Sequence, residues 1–135
     1  MTRCLSMAVL SFLALVAFVD VSFAKDEWTK ETLAEVKKNV EDEKAVLVDV
    51  RETEEWDEGH LETSLLLPLS ALKKGVKAED LAERLPEDKI IYTFCVVGKR
   101  AVTAAKLLAE HGYEVRPLKP GYEELRKAGF KKAKE

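Results

Sequence analysis

The chain has 135 residues, of which 47% are hydrophobic and 35% charged, a globular balance that excludes disordered, collagen-like and disulfide-dense classes. Its formal charge of −3 and pI near 5.6 lack the basic excess of a nucleic-acid-binding protein. With four Pro, six Gly and no internal repeat, there is room for one domain and neither a long linker nor a solenoid.

Residues 1–24 read as a secretory signal: Arg3 near the start, fifteen uncharged and mostly apolar residues from Leu5 to Val19, then a small-residue site at Ser22-Phe23-Ala24. An apolar run of that length falls short of the roughly 20 residues that cross a bilayer, so no stable membrane anchor is expected. The mature chain is then residues 25–135, a single domain, periplasmic or secreted. Cys4 leaves with the signal. Cys95 becomes the lone thiol of an exported chain, where an unpaired cysteine is a liability unless it is buried or used.

Asp26 to Lys44 has Leu33, Val36 and Val40 at helical spacing, with Thr29 and Thr32 as capping candidates, and predicts an amphipathic helix. Ala45 to Val50 is an apolar, β-branched run of the kind a strand covered on both faces shows. Glu52 to Glu58, closed by Gly59, predicts a helical turn, and Leu65 to Leu67 a short strand. Ser70–Lys74 and Glu79–Leu85 predict short helices. Lys89 to Cys95 is the strongest strand, Arg100 to His111 a strong helix stopped by Gly112, Glu114 to Leu118 the last strand and Tyr122 to Lys127 the last helix. Strands alternating with helices through short connections imply an α/β fold with a mostly parallel sheet and helices on both faces.

Ligands of such sheets bind at the carboxyl ends of the strands. Two of those ends carry chemistry, Asp49-Val50-Arg51 and Cys95 to Arg100. A chain turning tightly from a strand into a helix, with Gly98 free to take conformations other residues resist, can aim backbone N–H groups at the Cys95 sulfur. A helix dipole contributes about 0.3–1 kcal/mol, whereas a hydrogen bond to a charged group contributes about 1.5–3. The expected cradle of Val96, Val97, Gly98, Lys99 and Arg100 would therefore do most to hold negative charge on the sulfur. An inert buried thiol is the bland alternative for Cys95, but a following Gly and two cations are poor surroundings for one.

This arrangement resembles the rhodanese family of single-domain sulfurtransferases. Val46 to Glu52 with Glu55-Trp56-Asp57-Glu58-Gly59-His60 is similar to the family's DVR…E-W-x-x-G-H signature, Pro68-Leu69 to the step after it, and Cys95 to Arg100 to its six-residue C-x-x-G-x-R active loop. His111-Gly112-Tyr113 and Pro120-Gly121-Tyr122-Glu123 match the spacing of its last strand and helix. The resemblance implies a five-stranded, mostly parallel sheet and transfer of a sulfane sulfur through a persulfide on Cys95. The implied partners are a small sulfur-containing donor, thiosulfate or a persulfide, and a thiol, cyanide or protein acceptor. No metal, bound cofactor or nucleic acid is implied, and a monomer suffices.

In this scheme Cys95 is the nucleophile, residues 96–100 bind the donor, and Asp49 and Arg51 brace the site, most simply as an ion pair. His60, Trp56 and Trp28 read as packing residues. His60 and His111 lack metal-ligand spacing, and no second cysteine is available for a redox couple. Two other classes remain open: a non-catalytic sulfur carrier, sensor or binding module, and a cysteine phosphatase. The phosphatase loop, C-x5-R, is one residue longer than the one here.

Overall fold

A computed structural model describes residues 27–135; the signal segment, its cleavage site and Cys4 lie outside them. Helix α1 (Leu33–Glu41) starts later than the periodicity suggests, because Thr32 and Glu35 form a reciprocal cap. The Thr32 hydroxyl accepts from the Glu35 amide at 3.2 Å and the Glu35 carboxylate accepts from the Thr32 amide at 2.7 Å. Residues 27–31 consequently lie outside the helix.

The remaining elements are β1 (Ala45–Asp49), α2 (Thr53–Glu58), β2 (Ser64–Leu66), α3 (Leu69–Lys74), α4 (Ala78–Arg84), β3 (Ile90–Phe94), α5 (Lys99–Ala109), β4 (Val115–Pro117) and α6 (Tyr122–Lys127). Every pairing between these strands is parallel, and the order across the sheet is β2-β1-β3-β4. Four strands, not the expected five, are therefore present among the described residues. Beside β4, Thr29 makes one backbone bond to it, Thr29 N–H to the Pro117 carbonyl at 2.8 Å. A residue's N–H and C=O point to the same side of a strand, so Pro117, with no N–H, cannot return a second bond, and the ladder stops there.

Alternate strand residues feed two cores. Val48, Ile91 and Cys95 pack against Leu72 of α3, Leu81 of α4, and Ala101, Ala104 and Leu108 of α5. Leu47, Tyr92 and Phe94 pack on the other face against Val36 of α1, Leu125 of α6 and Phe130. Helices thus cover both faces, and each fully buried Leu or Phe stabilises the fold by about 1.5–3 kcal/mol. Because all strands run the same way, their carboxyl ends, at Asp49, Leu66, Phe94 and Pro117, share one edge of the sheet. No helix among the described residues is long and apolar enough to cross a membrane.

Candidate active site

Cys95 is the first residue beyond β3, only 1% exposed and not in a disulfide. The next two side chains turn outward, Val96 at 48% and Val97 at 65% exposure. Gly98 then takes the left-handed conformation, φ +90° and ψ −15°, and stands as the N-cap of α5. Its amide donates to Cys95 Sγ at 3.1 Å. This is the hydrogen bond the sulfur receives among the described residues; the Val96, Val97, Lys99 and Arg100 amides, expected as further members of the cradle, make none to it. The Lys99 and Arg100 amides belong to the first turn of α5 and run along the helix axis.

Two neighbours fix this turn. The Gly98 carbonyl accepts from the Val102 amide of α5 at 3.2 Å and from the Trp28 indole at 3.1 Å. On the other side, the Tyr122 amide donates to the Cys95 carbonyl at 2.9 Å. Gly121 permits that approach, because a Cβ there would lie 2.0 Å from the Val96 carbonyl oxygen.

Arg100 sits beside the loop at the start of α5, but its guanidinium faces Glu55. The pair is two-pronged, Nη1 to Oε1 at 2.6 Å and Nη2 to Oε2 at 3.0 Å. Hydrogen bonding to Arg100, reinforced by the Glu52 amide and the charges of Arg100 and Arg51, holds the Glu55 carboxyl down at about 2. Arg100 is raised in turn, chiefly by its bonds to Glu55, with a contribution from the charge on Cys95. The cation is therefore already partnered rather than free for an anionic donor. Lys99 is exposed, and its carbonyl accepts from the Thr103 hydroxyl at 3.3 Å.

Asp49 and Arg51, both buried, form the expected ion pair. Arg51 Nη2 lies 2.8 Å from Asp49 Oδ2 and also donates to the Gly59 carbonyl at 2.8 Å. The same guanidinium stacks over the Tyr122 ring at 4.2 Å. These contacts tie the ends of β1 and α2 to α6; none reaches the sulfur. His60 stacks on Trp56 with ring centroids 3.8 Å apart, as a packed turn residue. No cluster of three or more metal-ligating side chains occurs among the described residues.

A cleft of about 220 Å³ opens beside the loop, lined by Arg51, Glu55, Glu58, Val96, Tyr122, Glu123 and Glu124. Four carboxylates and one paired arginine make it an unwelcoming approach for a dianion. Sequence reasoning missed Trp28, Glu55 and Tyr122 as site residues. Glu55 had a signal, lying in the motif carrying Trp56 and His60, whereas Trp28 had none, being 70 positions from its partner.

The family model for the rhodanese-like domain matches residues 32–128. The chain is 30% identical over 112 residues to the uncharacterized protein YqhL of Bacillus subtilis, covering 82% of this chain and 84% of that one. It is 32% identical over 81 residues to a putative mitochondrial thiosulfate sulfurtransferase of Schizosaccharomyces pombe, covering 54% of this chain and little more than half, 56%, of that protein's length. Among solved structures, the human single-domain sulfurtransferase TSTD1 superposes with a TM-score of 0.60 at 28% identity, covering 70% of this chain and 92% of that one.

Proposed function

From the premise that the chain belongs to the rhodanese-like domain family, we propose that it is a sulfurtransferase working through a persulfide on Cys95. The Cys95 thiolate attacks the outer sulfur of the donor, an S–S bond forms, and the donor's own S–S bond breaks with its electron pair leaving on sulfite or a thiolate. An acceptor nucleophile then attacks the outer sulfur of the persulfide, and Cys95 leaves as the thiolate. The cycle is ping-pong, with no net oxidation and no need of a metal or cofactor.

One observation carries this reading: the Gly98 amide is aimed at Cys95 Sγ at 3.1 Å from within a loop that has four residues between Cys95 and Arg100. A hydrogen bond to a charged sulfur is worth about 1.5–3 kcal/mol, and a loop this short suits one added sulfur atom better than a tetrahedral phosphate. The acidic cleft and exposed Val96 and Val97 favour a persulfide of low net charge over the thiosulfate dianion as donor.

The first 24 residues, in the same proposal, direct export, and N-terminal sequencing of exported protein should begin at Lys25. Mass spectrometry of Cys95 after exposure to thiosulfate and to glutathione persulfide, followed by a thiol or cyanide chase, tests the chemistry. Gain of one sulfur and its loss to the acceptor is the expected result, and loading without turnover identifies a carrier instead. Absence of any persulfide, together with aryl phosphate hydrolysis above ~1 per second, overturns the reading in favour of a phosphatase.

A further inference from the structure

Glycine populates left-handed and right-handed conformations about equally readily, so nothing in Gly98 itself keeps its φ at +90° or its amide directed at the sulfur. The constraint has to come from outside the residue. Its carbonyl accepts a second hydrogen bond besides that of α5, from the Trp28 indole N–H at 3.1 Å. The ring is seated closely: a Cβ on Gly98 would come within 2.5 Å of Trp28 Nε1. Lys119 lies over the indole, with Nζ 5.2 Å from the ring centroid.

The segment bearing Trp28 is itself tied to the sheet. Thr29 N–H bonds the Pro117 carbonyl at 2.8 Å, and Glu31 Oε1 accepts from the Tyr92 hydroxyl and from Arg116 Nη1, each at 2.7 Å. Resting on the sulfurtransferase reading, we infer that Trp28 is a positioning residue: its N–H holds the Gly98 carbonyl, across the Gly98 Cα from the amide, and so fixes the Gly98 backbone angles that present the Gly98 amide to Cys95. Trp28 does not touch the reacting sulfur. It acts through Gly98, so its loss should alter the reactivity of Cys95 far more than the stability of the fold.

Two replacements separate the N–H from the bulk of the ring. Trp28→Phe keeps an aromatic ring without a donor, and 3-benzothienylalanine at position 28 keeps the fused ring and exchanges only the N–H for sulfur. The first readout is the pH profile of Cys95 alkylation by iodoacetamide. The second is the rate of persulfide formation with glutathione persulfide. One neutral hydrogen bond corresponds to an effect of about threefold to tenfold. Alkylation near neutral pH is therefore expected to slow by that factor, with the midpoint of the profile moved upward and persulfide formation slowed in parallel, while the melting temperature changes little.

An unchanged alkylation profile in the folded benzothienyl variant overturns the inference, and this variant decides the matter if Trp28→Phe does not fold. Alkylation requires no sulfur donor. A wild-type protein that forms no persulfide would therefore defeat the sulfurtransferase reading, while the profiles would still decide the role of Trp28.

Discussion

Arg100 and Glu55, 45 residues apart in sequence, close a two-pronged ion pair beside the cysteine loop. Each side chain is about one third exposed, at 32% and 33%, so the pair adds under about 1 kcal/mol to stability. Its greater effect is electrostatic, since Glu55 offsets a cation that would otherwise face the sulfur and any anionic donor.

Replacing Glu55→Gln should therefore speed alkylation of Cys95 near neutral pH and improve turnover with thiosulfate by a few-fold. The sign of its pH dependence follows from a carboxyl held at about 2 against the usual 4.5. A depressed carboxyl stabilises the fold above the usual value, and that contribution fades as pH falls through about 2. Melting temperatures of wild type and variant should thus differ modestly at neutral pH and converge near pH 2.

Cys95→Ser should abolish persulfide formation and transfer while leaving the melting temperature within a few degrees. Serine is similar in size, and the Gly98 amide that donates to Sγ can donate to the hydroxyl. Intact-mass measurement after donor treatment checks the first part and calorimetry the second.

Gly121→Ala should be among the most damaging substitutions in the chain. A Cβ there would meet the Val96 carbonyl oxygen at 2.0 Å and the Cys95 carbonyl oxygen at 2.7 Å, both backbone atoms that can yield only by moving the cysteine loop. A loss of about 3 kcal/mol is expected, with slower sulfur loading in whatever remains folded. Gly112→Ala serves as the contrast. Unlike Gly121, whose φ is −100°, Gly112 has a left-handed φ of +89° and open space around it, so only backbone strain, about 1–2 kcal/mol, is expected in urea titrations.

The Tyr122 hydroxyl is buried without a hydrogen-bond partner among the described residues. Tyr122→Phe keeps the ring that Arg51 stacks on and removes an unsatisfied polar group. Stability should hold or rise by about 1 kcal/mol, read from the denaturation midpoint.

Glu123 and Glu124 line the cleft from α6. Changing both to Lys should raise kcat/KM for thiosulfate severalfold at low ionic strength and leave transfer from a small persulfide much closer to wild type. The gain should shrink by 0.5 M salt, where the screening length is only a few ångströms.

All ten helices and strands of the described residues were legible from apolar runs and periodicity and from Gly and Pro stops; α2, which buries no residue, was legible from its acidic turn and the Gly59 stop alone. The exception in extent was α1. Leu33, Val36 and Val40 gave its period, but only the cap between Thr32 and Glu35 decides where it begins, and two threonines competed for that role in the sequence. The fifth strand came from family likeness rather than from any residue run, and Pro117 cannot complete the pairing it would need. At the site, Cys95 and Gly98 were legible because chain order places both within one short turn. Glu55 as the partner of Arg100, and Trp28 as the partner of Gly98, were not. Those contacts join positions 45 and 70 residues apart, and only the packing of the sheet's edges sets such pairs.

The single direction of the strands divides the molecule into a working end and an inert one. Turns at the far end, around Glu43 and Lys44, Pro86 to Lys89, and His111 to Glu114, lead into the amino ends of β1, β3 and β4, a full strand length away from the sulfur. A reporter peptide or a fused domain spliced into one of these turns should be carried without disturbing the cysteine loop, which makes that end the natural handle for immobilising or labelling the protein while its chemistry is watched.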